Sequence, residues 1–364
     1  MYLSGLYLFN FKNYEEASFA FSPEINCLVG LNGSGKTNLL DAIHYLSMTR
    51  SFLNPADHQN IRTLQKNFIV KGDFDRAGSK RSVVASYQTG AKKSILEDGI
   101  ECKKFSDHIG KYPLVLVTPQ DIELIWGGSE KRRSFFDSLL SQMDKKYLEH
   151  LIRYHHFLKQ RNGALRIFQE RQLVDEELLA RYNDELVTAG EYITDVRRDL
   201  LKNYTEKFQA HYRQLIHTAF ENVTIVYESK SHDSLAEALR KSLQKDLALG
   251  RTTVGIHRDD FQFMLDGEAV KRFGSQGQQK SFLIGLKLAE FDSLTQALGV
   301  KPILLLDDIF DKLDDERIEK LLSLIANDHF GQLFITDARP ERTEQLLSSA
   351  RLSANVIRMA SRIS

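Results

Sequence analysis

Apolar and polar residues alternate at the start of the chain, at Tyr7, Phe9 and Phe11 and again at Phe19 and Phe21, the period of two expected of half-buried strands. Residues 25–30 form a short apolar run that ends on a glycine-rich loop. From about Gly35 the period lengthens: Leu39, Leu40, Ala42, Ile43 and Leu46 share one helical face before the loop 50–54 and Pro55. Strands are expected over 68–74, 81–88 and 94–96, with turn signals at Gly78, Gly90 and Asp98-Gly99, and over 114–118, closed by Pro119. The pattern then becomes helical over 130–143, 146–168, 176–210 and 212–220. Two of these stretches can pair as an antiparallel hairpin; about 30 residues at about 1.5 Å each reach about 45 Å, short of a long coiled-coil arm. Strands return at 223–227 and 261–265, then a helix over 277–297, a buried strand at 303–306, a helix over 316–326 and a strand at 333–336. Strands and helices alternating at both ends predict one α/β lobe interrupted by an α-helical lobe, with boundaries at 1–119, 120–220 and 221–364.

Composition narrows the classes. Lys plus Arg and Asp plus Glu are 49 each, so no global basic field points to nucleic acid or an anionic membrane, and any such partner must meet a local patch. Hydrophobic residues at 42% and charged residues at 27% are those of an ordinary folded protein, which excludes fibrous and disordered readings. The two cysteines, Cys27 and Cys102, occur without CxxC spacing or a neighbouring Cys/His cluster in the sequence, so neither a disulfide framework nor zinc is indicated, and a reducing, cytoplasmic compartment is expected. Lys12, Glu15 and Glu16 interrupt the N-terminal apolar residues, unlike a signal peptide, and no run approaches the roughly 18 uncharged apolar residues of a membrane helix.

Three motifs carry chemistry. The strongest is Gly30-Leu31-Asn32-Gly33-Ser34-Gly35-Lys36-Thr37, a complete GxxxxGK[ST] loop between a buried strand and a helix. Its glycines let successive N–H groups face a phosphate, the helix N-terminus adds favourable potential, Lys36 reaches the β/γ-phosphates and Thr37 ligates Mg²⁺. Chance would produce the octet in about one chain in a hundred of this length. The second is the run 303–306 followed by Asp307 and Asp308, two carboxylates at the carboxyl end of a buried strand, where open α/β sheets place ligands. With the loop present, Asp307 is the expected outer-sphere Mg²⁺ partner, and Asp308 the group that polarises or deprotonates an attacking water. The third is Ser275-Gln276-Gly277-Gln278, a serine-capped helix start about 30 residues before the acidic pair.

At these residues the chain resembles the ABC-type ATPases and, within their SMC-like branch, the RecF family. The likeness spans NFKNY (10–14), NGSGKTNLLDAIHYLS (32–47), RSF (50–52), GSEKRRSFFD (128–137), LKQRN (158–162), GIHRDD (255–260), SQGQQK (275–280), LKLAE (286–290) and LLLDDIFDKLD (304–314). It implies that Ser275, Gly277 and Gln278 complete the ATP site of a second subunit, that Asp314 is a D-loop residue and that Gln120 is a Q-loop residue. It also implies an ATP- and Mg²⁺-dependent homodimer. That dimer would bind single-stranded, gapped or junction DNA in replication, DNA-damage repair and the SOS response, and would aid RecA loading with RecR- and RecO-like partners. Asp308 stands where the wider class has glutamate, and Thr336-Asp337 stands where it has a switch histidine, so the expected ATPase is weak and acts as a switch. An ABC module of a transporter or translation factor is the alternative; the missing histidine, the helical insert and the single phosphate loop count against it. The Ser-x-Gly-Gln signature counts against a small-molecule P-loop kinase.

Between residues 131 and 163 stand Lys131, Arg132, Arg133, Lys145, Lys146, Arg153, Lys159 and Arg161, a local basic excess with interleaved aromatics. It reads as a phosphate-contacting stripe, with Arg132, Arg133, Lys159 and Arg161 as DNA candidates, or as a solvated helix face; Lys92, Lys93, Lys103 and Lys104 come next. His257, Arg258 and Asp259 read either as nucleotide contacts or as part of a buried polar network.

Overall fold

The computed structural model describes residues 1–216, 221–229, 231, 234–309, 315–327 and 329–359. It divides into two compact units, residues 1–121 with 290–364, and residues 122–289.

The first unit opens with β1 (Tyr2–Phe9), β2 (Glu16–Ala20), β3 (Ile25–Val29), α1 (Lys36–Met48), β4 (Asn67–Arg76), β5 (Ser79–Gln88), β6 (Ser94–Glu97), β7 (Ile100–Glu101) and β8 (Leu114–Val117). Six of these strands form an antiparallel sheet in the order β2-β1-β4-β5-β6-β7. The β4–β5 hairpin closes at Ala77 and Gly78, with φ of 53° and 81°, the paired left-handed conformation that matches strand twist. In β1 it is Leu6 and Leu8, not the alternating Tyr7 and Phe9, that are buried, together with Phe11, Phe68, Val70, Phe74 and Val83, and α1 covers them with Leu39, Leu40, Ile43 and Leu46. Each such side chain, fully buried, contributes about 1.5–3 kcal/mol.

The second unit holds α2 (Glu123–Trp126), α3 (Ser129–Met143), α4 (Lys145–Arg171), α5 (Glu176–Leu215), β9 (Val223–Glu228), α6 (Leu235–Leu249), β10 (Asp260–Leu265), β11 (Glu268–Ala269), α7 (Val270–Phe273) and most of α8 (Gln276–Leu298). Tyr154 of α4 packs with Leu186, Ala189 and Ile193 of α5, while Ala164, Leu165 and Phe168 pack with Leu179. That crossing order makes the pair antiparallel. α5 continues through His211, where the sequence pattern suggested a break, and its 40 residues span about 60 Å. Helix α6, not evident from the pattern, is capped by Ser234, which accepts from Glu237 N–H.

The helical unit also reaches further than residue 220. Strands β9, β10 and β11 form their own antiparallel sheet, and Phe261 of β10 stacks on Phe136 of α3 at 4.1 Å while Gln209 of α5 donates to Val223 O. Those contacts bind residues 221–289 to the helices, so the return to the first unit lies at 290.

There the chain adds β12 (Ile303–Leu306), α9 (Asp315–Ala326), β13 (Leu333–Asp337), α10 (Pro340–Ser349) and β14 (Asn355–Arg358). A parallel sheet results, in the order β14-β3-β13-β12-β8. All three central strands β3, β12 and β13 are buried along their length; β12 is wholly apolar, whereas β3 carries Asn26 and β13 ends in Thr336 and Asp337. Gln332, 1% exposed, bonds both backbone groups of Leu3 and the carbonyl of Ser22, satisfying polar atoms inside this core.

Candidate nucleotide site

The glycine-rich loop follows β3 and ends at Gly35, which caps α1 with φ of 102°. That φ favours glycine at position 35, and a Cβ there would stand 2.5 Å from Asn13 Nδ2 and 2.8 Å from the Tyr14 hydroxyl, so any other residue would also displace the side chains that brace the loop. Tyr14 donates to Gly35 O at 3.0 Å, and Asn38 donates to Asn13 at 2.8 Å, so the loop is braced from the β1–β2 connection. Leu31, Asn32 and Gly33 are exposed, and the Cβ direction of Gly33 is open. Lys36, only 4% exposed, turns its ammonium back onto the carbonyls of Gly30 (2.7 Å) and Leu31 (3.1 Å). The Ser34 hydroxyl is buried and finds no hydrogen-bond partner. An ammonium and an unused hydroxyl converging inside a loop of glycines are suited to a phosphate.

The acidic pair approaches from β12. Because β13 lies between β3 and β12, the carboxyl ends of all three strands stand in one row. Thr37 donates to Asp307 Oδ1 at 2.9 Å, and Thr336 at the end of β13 donates to the same oxygen at 2.8 Å. Thr336 Oγ1 also accepts from Asp308 N–H at 2.8 Å. Thr336 thus ties both aspartates, a role with no sequence signal, because it depends on strand order. Burial pushes the Asp307 carboxyl above its ordinary range, and the Asp308 charge adds to this, against the hydroxyl bonds. A divalent cation beside Thr37 and Asp307 would relieve that cost, so the donor set fits Mg²⁺. Asp308 has φ of 45°, a left-handed conformation that short Asp and Asn side chains tolerate better than Glu, which gives a backbone reason for aspartate here.

Ser275, Gly277 and Gln278 lie in the second unit, at the start of α8. Ser275 N–H donates to Gln278 Oε1 at 2.7 Å and Gln278 N–H donates to Ser275 Oγ at 3.2 Å, a reciprocal capping box. Gln120 is exposed in the 3-10 turn Pro119–Ile122. Asp314 lies outside the described residues.

Comparison with known proteins settles the family. A relative from Flavobacterium johnsoniae, "DNA replication and repair protein RecF", is 44% identical over 360 residues, covering 99% of this chain and 100% of its own. The chain belongs to the RecF family. The RecF-family protein of Cytophaga hutchinsonii is 45% identical over 96% of this chain and 92% of its own, and the RecF/RecN/SMC N terminal domain matches residues 2–106. Among solved structures, "the recombination mediator protein RecF-ATP in RecFOR pathway" superposes with a TM-score of 0.86 at 31% identity, over 93% of this chain and 92% of that one. An SMC head bound to the C-winged helix domain of ScpA shares the fold, with a TM-score of 0.56 at 14% identity over 100% of this chain and 95% of that one.

The basic residues of this RecF-family chain correct the stripe expectation. Arg161 is fully buried: it donates to Asn183, Asp246 and Thr252 at 2.7–2.8 Å and cannot reach a phosphate outside. Arg132 makes a bidentate pair with Asp260 at 2.9 Å and also bonds the carbonyls of Leu124 and Gly127. Arg133 is committed to Ser129 Oγ and Asp259 O. Helical periodicity could not separate these from Lys159, which is exposed. Among the next candidates, Lys93 donates to Thr49 O at 2.6 Å, whereas Lys92, Lys103 and Lys104 are exposed.

The GIHRDD segment is a polar network. Asp259 accepts from Tyr227 and stands 3.7 Å from Arg197, which also binds Asp137 (2.7 Å) and Ile256 O (3.1 Å). His257 Nδ1 lies 2.8 Å from the Tyr154 hydroxyl and Nε2 lies 3.2 Å from Thr252 O. Since a carbonyl only accepts, Nε2 carries the proton and Nδ1 accepts from Tyr154.

Proposed function

We propose that this chain is an ATP-dependent DNA-binding protein of recombinational repair and replication. It acts in the cytoplasm, recognises gapped or single-stranded/double-stranded junction DNA, and aids RecA loading with RecO- and RecR-like partners. One observation carries the nucleotide part. Lys36 and the unpartnered Ser34 hydroxyl converge within the loop, beside the Thr37–Asp307 pair. Similarity to DNA replication and repair proteins and to an ATP-bound recombination mediator of the RecFOR pathway supports the pathway.

In this reading Lys36 leaves the carbonyls of Gly30 and Leu31 for the β/γ-phosphates, while loop N–H groups and Ser34 take the phosphate oxygens. Gly30, Leu31, Asn32, Gly33 and Gly35 supply backbone only. Thr37 and Asp307 hold Mg²⁺, which would offset phosphate charge when bound. Ser275, Gly277 and Gln278 of one copy meet the nucleotide on a second, closing a dimer around DNA, and Asp308 draws the proton from an attacking water slowly enough for ATP to act as a switch.

The test is binding of gapped, single-stranded and duplex DNA with and without ATP, for the natural chain and Lys36→Ala. ATP should raise affinity for gapped DNA, and Lys36→Ala should lose that gain together with nucleotide affinity at an unchanged circular dichroism spectrum. Equal nucleotide affinity in both proteins would refute the loop assignment. ATP binding without any effect on DNA would refute the DNA role.

A further inference from the structure

Outside the nucleotide loop, one cluster joins three kinds of metal-ligating side chain. Glu97 closes β6, Cys102 directly follows β7, and His108 caps the 3-10 turn Phe105–Asp107. The turn at Asp98 and Gly99, both at positive φ, folds the hairpin back, and Cys102 N–H donates to Ile95 O at 2.8 Å. One carboxylate oxygen of Glu97, the Cys102 sulfur and one His108 ring nitrogen consequently lie within 4.8 Å of one another.

The histidine is set up as a ligand. His108 is 0% exposed, and its Nε2 lies 2.6 Å from Leu46 O. A carbonyl accepts and never donates, so Nε2 carries the proton and Nδ1 presents a bare lone pair. That Nδ1 is buried and has no hydrogen-bond partner. Leaving a buried acceptor unpaired is costly, and a backbone carbonyl that fixes the opposite nitrogen's tautomer is the usual outer support of a metal-bound imidazole. Glu97 and Cys102 also line a cleft with Asp107, Lys111 and Tyr112, which gives solvent a path to a fourth position.

We propose that Glu97, Cys102 and His108 bind one divalent transition-metal ion of the Zn²⁺ class, with water in the remaining position. Thiolate and imidazole together select zinc-like ions over Mg²⁺ and Ca²⁺. On binding, the Cys102 sulfur forms its bond to the metal and releases the thiol proton to buffer. The metal takes the place of Lys111 at Glu97 Oε2, now 2.5 Å away, while Tyr112 keeps Oε1 at 3.0 Å. The ion would staple a two-residue edge strand and the turn after it, a part of the sheet with little core of its own.

The full chain, stripped with a chelator, is titrated with Co²⁺ as a spectroscopic probe and then with Zn²⁺ in competition. One Co²⁺ per chain should bind with thiolate-to-cobalt charge transfer and tetrahedral d–d absorption. The charge transfer should vanish in Cys102→Ser, and affinity should fall by about tenfold or more in Glu97→Gln. Because Cys102→Ser could fold poorly, thiol labelling of the natural chain is followed by mass spectrometry in parallel. Zn²⁺ should slow labelling of Cys102 by about tenfold or more, with buried Cys27 as the internal control. No stoichiometric Co²⁺, charge transfer retained in Cys102→Ser, or an unchanged Cys102 labelling rate would each overturn the site.

Discussion

Replacing Arg161 by alanine separates a DNA-contacting arginine from a structural one. Arg161 and Asp246 are both 0% exposed and pair at 2.8 Å, with Asn183 and Thr252 taking two further guanidinium bonds. Truncation leaves Asp246 buried without its counter-charge, held only by Thr253 and Ser242. Removing one partner of a buried pair costs about 3–5 kcal/mol. At a urea m value of about 2–3 kcal/mol per M, the unfolding midpoint should fall by about 1–2.5 M. Trp126, the single tryptophan, lies in the same unit, so its fluorescence reports the unit that contains the pair. Replacing both partners by apolar residues, Arg161→Met with Asp246→Leu, should recover part of the loss, since no lone charge then stays buried. Lys159→Ala is the counterpart: an exposed side chain whose loss should leave the midpoint unchanged and, if it meets a phosphate, lower the salt slope of DNA binding by about 0.7–0.9. An Arg161→Ala midpoint within about 0.3 M of the natural chain, under the same m value, would refute the buried-pair argument.

Asp308→Asn keeps a side chain that tolerates φ of 45° but cannot take a proton, so ATP-dependent dimers should persist longer in light scattering while turnover falls; unchanged turnover would remove Asp308 from the reaction. Ser275→Arg places bulk at the start of α8 and removes its cap, at a cost of about 1 kcal/mol, so monomers should still bind ATP but fail to dimerise; dimers of normal affinity would exclude the shared-site reading. Burial lowers the His257 pKa to about 4, below the roughly 6.5 of an unfolded histidine. Above about pH 6.5 both states are neutral and the contribution to stability is complete; between about 6.5 and 4 the unfolded chain takes up a proton that the folded chain refuses. Stability followed by Trp126 should therefore drop by about 3 kcal/mol as pH falls through that window, and His257→Gln should flatten the curve there. An equal slope in both proteins would assign the acid sensitivity elsewhere.

What the sequence determined by itself is what neighbours along the chain decide. The octet from Gly30 to Thr37 and the strand and helix on either side are contiguous, so spacing alone displays the loop, and the four apolar residues before Asp307 mark a buried strand for the same reason. Helical period and length allow two of the helical stretches to pair, but that α4 and α5 form the hairpin, with α5 unbroken through His211, is settled by packing. Other features needed the fold because their partners are distant. Thr336 reaches Asp307 and Asp308 only because β13 lies between β3 and β12. The unit boundary moved from 221 to 290 because aromatic stacking, not composition, decides which helices β9, β10 and β11 join. Arg161 and Lys159 share a helix and a charge, yet one meets Asp246 from 85 positions away and the other meets solvent. Glu97, Cys102 and His108 show no metal-ligand spacing; a hairpin turn and the Leu46 carbonyl bring them together and fix the proton on one imidazole nitrogen. Local pattern sets which elements form, whereas burial and long-range pairing set which side chains are left to do chemistry.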